Sequence, residues 1–308
     1  MLDSSSKAAL RGLSVVNDNV VWISGNKGTI GKSINGGKTW NYFTIPGFAN
    51  ADFRDIEAFD AKTAVVMNIQ NPACILKTID GGINWIKTSS FADSTLFLDA
   101  MEFWNEQSGI LIGDPINNHF FIARTFDGGA SWQVLPPRLT PVAVSGEACF
   151  ASSGTNVRKL NKKEAVFISG GLSSHFYYRN NKIKLPLLQG KESTGANSIA
   201  VKGRKTIMVA GGDFTHQEDT LGNLCYSYDG GNTWSVPEKT PSGYRSCVEY
   251  IIKQTWITCG LNGVDISIDN GKRWNKISSI SFHVVRKAKK GTTVFFAGNN
   301  GVIGKLEK

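Results

Sequence analysis

No stretch of this 308-residue chain approaches the roughly 18 consecutive apolar residues of a membrane-spanning helix, which excludes that class. Helical periodicity is missing too, and with only 9 Pro against 33 Gly the composition favours tight turns and short strands over helices, which Gly weakens. The five cysteines, Cys74, Cys149, Cys225, Cys247 and Cys259, are scattered with no C-x-x-C pair. Each lies in or beside an apolar strand-like stretch, which points to buried thiols rather than disulfides or metal ligands, and the odd number leaves at least one unpaired. No G-x-G-x-x-G opens a βαβ unit, so a nicotinamide or flavin site is lacking and no cofactor is expected. GNKGTIGKS (25–33) resembles a phosphate loop, but Asn26 stands where its first Gly belongs, and a strand follows where a helix is required. The opening residues, MLDSSSKAAL, have no apolar signal core, which fits either a cytoplasmic protein or a mature chain written with a new Met1.

What the chain has is a repeat. KSINGGKTW (32–40) returns as KTIDGGINW, RTFDGGASW, YSYDGGNTW and ISIDNGKRW, ending at Trp40, Trp85, Trp132, Trp234 and Trp274. The intervals of 45, 47, 102 and 40 residues contain one double period. A degenerate copy without the box, at 165–187, fills that gap, and TTVFFAGNNGVIGKLEK repeats VVWISGNKGTIGK before the chain stops, giving seven copies. The first copy reads as four strands, RGLSVV, VVWISG, TIGKSI and TWNYF, rich in β-branched and aromatic residues and punctuated by Gly and Asn. Four antiparallel strands at this period describe a propeller blade. The reading is therefore all-β: one seven-bladed β-propeller domain over 1–308. Its blades fall near 10–46, 53–91, 97–137, 147–189, 196–238, 244–278 and 282–308. The last copy ends at Leu306 without a fourth strand, so residues around Leu2–Lys7 are expected to complete it and remove an open edge.

In each box the Asp (Asn in the first), namely Asn35, Asp80, Asp127, Asp229 and Asp269, is placed to accept hydrogen bonds from the turn's own amides. The Gly supplies a positive φ and the Ser/Thr hydroxyl ties back to the backbone. Trp40, Trp85, Trp132, Trp234 and Trp274 then cover the gap to a neighbouring blade. Five such turns lie far apart around a ring, so they brace it and hold no shared site, for calcium or for catalysis.

The starts of the inner strands give Arg11, Arg54, Asp99, Glu147, Asn197, Arg245 and His283 in blade order. Three arginines are thus expected to converge on one funnel. Their rigid forks suit carboxylate or phosphate. Two readings stay open: a site for an anion or acidic peptide, or a salt-bridge network with Asp55, Asp99 and Glu147 that packs the channel. The +9 formal charge likewise fits an anionic partner or a solubilising surface, and no stacking motif or recognition helix accompanies it to support nucleic-acid binding. The loop GGDFTHQEDTLGN (211–223) brings Asp213, His216, Glu218 and Asp219 to the rim, and Asp114, His119 and His175 lie in other loops of that face. Their spacing matches no ligand template, so no metal is expected, while a long loop on a rigid frame is a place to meet a partner. A glycosidase needs two carboxylates flanking one bond, for which Asp99 and Glu147 are the candidates. A sialidase would use Arg11, Arg54 and Arg245 with Tyr244, Glu147 and Asp55, but ALRGL replaces its F-R-I-P signature.

The boxes of S/T-x-(D/N)-x-G-x-x-W form, the inner strands LRGLSVV and FRDIEAF, and the run WISGNKGTIGK together resemble the photosystem II stability/assembly-factor family of Asp-box (BNR) propellers, which has members in bacteria without photosystems. The resemblance spans the chain, except that the fourth copy lacks a box. It implies a non-enzymatic, extracytoplasmic (periplasmic or secreted) factor that holds a protein partner or acidic segment with an arginine-lined surface. The alternative is a carbohydrate-active hydrolase on the same frame.

Overall fold

A computed structural model describes residues 2–69, 72–179 and 181–307. Met1 and Lys308, the two ends of the expected domain, and Asn180, inside the degenerate copy, lie outside the described residues, as do Gln70 and Asn71. Seven antiparallel sheets follow one another along the chain. The inner strands of the seven blades are Leu10–Val15, Phe53–Ala58, Leu98–Phe103, Val157–Lys159, Thr194–Lys202, Cys247–Ile252 and Val284–Lys287. These contact one another in sequence, and the seventh contacts the first, so the sheets form a closed seven-bladed propeller around a central channel.

Burial falls off across each blade. In the first, VWISG (Val21–Gly25) is buried throughout, whereas the outermost strand, Asn41–Thr44, is half exposed. The core lies between blades. Trp22 and Ile30 of the first pack with Phe53 and Val66 of the second, and Met208 of the fifth packs with Trp256 and Trp274 of the sixth. One cluster joins Val284 and Phe295 of the last blade to Leu13 and Ile23 of the first and Ile257 of the sixth, sealing the ring. Chain ends meet at the same seam: Leu2 N–H donates to the Ile303 carbonyl at 2.7 Å and Ile303 N–H to that of Asp3 at 2.8 Å. Tyr42 OH donates to the Asp3 carboxylate. The contact is a single bridge rather than a full strand.

All five repeated turns use the same bonds. In the second, Thr78 Oγ1 donates to Asp80 Oδ1 at 2.9 Å and accepts the Gly82 amide at 3.0 Å, while Asp80 accepts the Asn84 amide at 2.9 Å. Ser33/Asn35, Thr125/Asp127, Ser227/Asp229 and Ser267/Asp269 repeat this. The glycine two residues after the Asp or Asn of each, at 37, 82, 129, 231 and 271, has φ between +82° and +92°. An added Cβ there would run into Phe295, Phe43, Val65, Phe176 or Met208, each on the preceding blade. Glycine therefore serves both the turn and the blade-to-blade fit. The box tryptophans pack the same way: Trp85 meets Trp22 edge-on at 6.4 Å, and Trp234 meets Phe176 at 5.3 Å. A further amide ties each turn to the hairpin between the first two strands, as Gly36 N–H to the Asn19 carbonyl at 2.9 Å. All five cysteines are buried and unpaired.

Candidate functional site: the upper mouth of the channel

The inner strands begin with a bulge, and the bulge makes the site. Leu10 pairs with Gly25 and Gly12 with Ser24, so Arg11 between them has no partner across the ladder. Arg54, Asp99 and Asn197 occupy the same unpaired position in the second, third and fifth blades. An extra residue in one strand re-aims its side chain. Arg11 and Arg54 thereby line a cavity of about 390 Å³ on the ring axis, at the end of the channel opposite the repeated turns, together with Phe97, Phe214, Tyr244 and His283. All seven blades or their leading segments reach this cavity.

Its floor is a segment the sequence did not foretell. Residues 148–155, on the connection into the fourth blade, run into the channel and bond to blades around the ring. Ser152 carbonyl accepts Arg11 Nη1 at 3.3 Å and Ala151 carbonyl accepts Arg54 Nη1 at 3.5 Å. Ser153 Oγ donates to the Ser246 carbonyl at 2.8 Å, Arg286 Nη2 to the Gly154 carbonyl at 3.3 Å, and Ile199 N–H to that of Thr155 at 2.8 Å. Gly154 has φ +61°, and a Cβ there would overlap the buried Asp55 carboxylate, so both backbone and space require glycine. This plug divides the channel, leaving a second cavity of about 360 Å³ at the far end, lined by Glu57, Glu102, Arg158, Glu249, Arg286 and Lys289 among others.

The upper cavity is lined by Arg11, Arg54 and Asp114, and only one of its two arginines has an ion-pair partner among the described residues. Arg54 Nε donates to Asp52 at 2.8 Å. Arg11 forms no ion pair within 4.0 Å among the described residues, and its guanidinium rests on one carbonyl. Burial, then the nearby Arg54, lowers its pKa, the signature of a cation short of compensation. Burial, then Arg11, likewise pushes His283 down to about 4, so that it is neutral at pH 7 and bonded through Nε2 to Asn299 at 2.9 Å. Tyr244, pushed up to about 12 by burial, donates to Asn197 Oδ1 at 2.8 Å, which also accepts Ser152 Oγ at 2.8 Å. The cavity can therefore hold an anion between guanidinium donors while aromatic walls take an apolar neighbour.

Several expected site residues lie elsewhere. Arg245 does not reach the funnel: it and Asp265 are both fully buried and paired through Nε at 2.8 Å and through Nη2, and Nη1 donates to Asn262 at 2.5 Å and to the Tyr244 carbonyl at 2.7 Å. The funnel position of the sixth blade is Ser246, one residue on, and a slip of one residue turns a side chain to the opposite face. Glu147 does not start the fourth inner strand. Residues 147–148 pair with Gly170–Gly171, and the inner strand is Val157–Lys159. Its fully buried carboxylate accepts from Val144 N at 2.7 Å, Tyr177 OH at 2.6 Å, Lys182 Nζ at 3.0 Å and the Ser169 hydroxyl, with His175 Nδ1 at 3.0 Å. Burial pushes its pKa up, but the bonds from His175, Ser169, Tyr177 and Val144 outweigh it and hold it at about 2. Asp99 is enclosed beneath the cavity, so Asp99 and Glu147 do not flank a common opening and the expected glycosidase pair does not assemble; the sialidase set loses Arg245 and Glu147 for the same reasons. At the rim, Asp213 is held by Thr215 and lies 3.0 Å from His216 Nδ1, Glu218 accepts from Asn262 at 2.9 Å, and Asp219 caps Leu221. These four form no common ligand set, and the loop's part in the cavity is Phe214.

No protein-family model matches this chain, and no curated protein matches it in sequence. Solved structures do match. YCF48 from Cyanidioschyzon merolae is similar at a TM-score of 0.71 and 17% identity, covering 99% of this chain and 98% of that one. YCF48 bound to D1 peptide gives 0.68 and 16%, covering 99% and 93%. The WD40 propeller domain of Doa1 gives 0.65 and 11%, covering 98% and 93%. At such identities the likeness is one of architecture, and what it establishes end to end is the seven-bladed β-propeller.

Proposed function

We propose that the protein is a non-enzymatic binding or assembly scaffold whose upper cavity captures an acidic segment, or the terminal carboxylate, of a protein partner. The observation that carries this reading is Arg11: a half-buried guanidinium with no carboxylate within 4.0 Å among the described residues, set at the mouth of a closed ring. A partner carboxylate would complete its hydrogen bonds in a bidentate manner, with Arg54, already held by Asp52, standing beside it. A volume near 390 Å³ admits one or two side chains or a chain end rather than a whole domain. Phe97, Phe214 and Tyr244 supply apolar contact beside the charge. A similar propeller has been solved with a peptide bound, which supports a peptide as the class of ligand. On this reading the repeated turns are Asp-boxes and the protein is an extracytoplasmic, non-photosynthetic member of the photosystem II assembly-factor group that its sequence resembles.

The test is capture of fluorescent acidic peptides with free or amidated C-termini by the full chain and by Arg11→Ala. A charged hydrogen bond contributes about 1.5–3 kcal/mol, so the substitution is expected to weaken capture roughly 10- to 150-fold while leaving the unfolding midpoint within a few degrees. Undiminished capture by Arg11→Ala would remove this cavity as the site.

A further inference from the structure

Beneath the upper cavity one side chain is left without any partner. Asp99 is fully buried, and neither carboxylate oxygen has a hydrogen-bond donor among the described residues. A buried carboxylate in that state costs several kcal/mol unless something neutralises it. Asp99 does not stand alone. It occupies the bulge of its inner strand, and Asp114 occupies a bulge on the adjacent strand, unpaired between Gly113 and Pro115. Cys149, at the start of the channel plug, donates its amide to Asp114 Oδ1 at 2.7 Å. The Cys149 sulfur and one oxygen from each aspartate lie within 4.8 Å of one another, the one such convergence of metal-type ligands among the described residues. Asp114 and Cys149 also line the cavity, which gives an ion a way in.

We propose that Asp99, Asp114 and Cys149 bind one divalent cation of the zinc type, with a fourth coordination position open to the central cavity. Two hard oxygens and one thiolate suit zinc better than magnesium or calcium, which take oxygen ligands alone. Bond lengths of about 2.3 Å to sulfur and 2.0–2.2 Å to oxygen place tetrahedral ligand atoms about 3.5 Å apart, so the three side chains need close in by little more than an ångström. Two carboxylates and a thiolate carry three negative charges, of which the dication offsets two; Arg54, which also pairs with Asp52, lies close enough to Asp99 to lower its carboxyl pKa. Burial and the neighbouring Asp114 drive the Asp99 carboxyl toward its neutral form, and burial does the same to the Cys149 thiol; a bound dication reverses both. Binding releases the thiol proton and any carboxyl protons to solvent. The site stands whether or not the cavity takes an acidic segment.

The experiment is cobalt titration of the full chain after chelation and dialysis, followed by competition with zinc. One cobalt per chain with thiolate-to-cobalt charge-transfer absorption is expected. That absorption should vanish in Cys149→Ser and persist in Cys225→Ser, whose thiol is remote. Asp99→Asn should weaken zinc by more than the roughly 10- to 100-fold that changes outside the ligand sphere cost. Absence of the absorption in the unaltered protein, or its survival in Cys149→Ser, would overturn the site. So would an Asp99→Asn variant that melts higher than the metal-free parent with zinc affinity unchanged, the behaviour of two carboxyls sharing a proton. If Cys149→Ser fails to fold, anomalous diffraction at the zinc edge decides: a peak bonded to Asp99 and Cys149 supports the site, and a peak elsewhere or none refutes it.

Discussion

The two ends of the channel are built by the same inner strands, three residues apart, yet treat charge in opposite ways. Arg11, Arg54, Asp99 and His283 mark the upper end, and Ser14, Glu57, Glu102 and Arg286 follow each of them at the lower. Below the plug, cations face acids: Lys289 reaches Glu57 at 2.6 Å and Arg158 reaches Glu102 at 3.4 Å. Above it, Arg54 has Asp52 but Arg11 has only a carbonyl. A charge already paired has little to offer a ligand, because capture must first break the existing contact. The lower mouth thus holds the ring together, and the upper keeps donors in reserve. Counting charged residues would not separate them; asking which are compensated does.

That distinction breaks first, and hardest, at Arg245. If unpaired charge rather than arginine number makes the upper site, Arg245→Ala removes one partner of a buried pair and strands Asp265. It should cost about 3–5 kcal/mol in denaturant unfolding, with peptide capture by the folded fraction unchanged. Loss of capture at full stability would restore Arg245 to the site. Next in size is the plug that keeps the two ends apart. Gly154→Ala puts a Cβ on a φ of +61° and into the Asp55 carboxylate, which is anchored by the Met101 amide at 2.8 Å. Strain and overlap together should destabilise by about 2–3 kcal/mol, read as a lower midpoint in a urea titration; an unshifted midpoint would mean that the segment is not wedged in the channel.

The ring was legible because its signals are local. Each box writes its own hydrogen bonds into nine residues, and its tryptophan and the glycine two after its Asp or Asn repeat because every blade meets its neighbour in the same way. The site was only partly legible. Arg11 and Arg54 were found from the matching runs LRGL and FRDI, whose bulges are shared. YRSC looks like a third such run, but aligning it by its arginine slips the strand by one. Aligning instead on the acid three residues further along, Glu57 with Glu102 and Glu249, brings Ser246 into the funnel and leaves Arg245 behind it. The fourth blade has no box to count from, so its sequence suggests a strand start at Glu147, which instead anchors the connection that becomes the plug. Residues 148–155 follow no periodicity, since their partners are supplied by blades distant in sequence. Nothing local marks such a segment, and the Asp99, Asp114 and Cys149 cluster was hidden with it.

The smallest expected effect tests the lower mouth where its pairing is weakest. Glu249 lies between Arg158 and Arg286, but both stand off at 3.9 Å, beyond hydrogen-bond range. Burial therefore dominates, helped by Cys247 and Glu102 and opposed by Arg158, and lifts its carboxyl to about 8 from an ordinary 4.5. Below pH 4.5 both the folded and unfolded chains hold this proton. Between 4.5 and 8 the unfolded chain gives it up while the folded one keeps it, so this residue's contribution to stability falls as pH rises and levels off above 8. Glu249→Gln keeps the shape and cannot ionise. Its stability relative to the parent should grow steadily from pH 5 to pH 8, by about 1–2 kcal/mol once water at the mouth is allowed for, as followed by thermal unfolding in matched buffers. A variant less stable than the parent at pH 8 would mean that Glu249 is ionised and paired after all. The lower mouth would then hold acids matched to cations throughout, and the contrast with the reserve of charge at Arg11 would be sharper still.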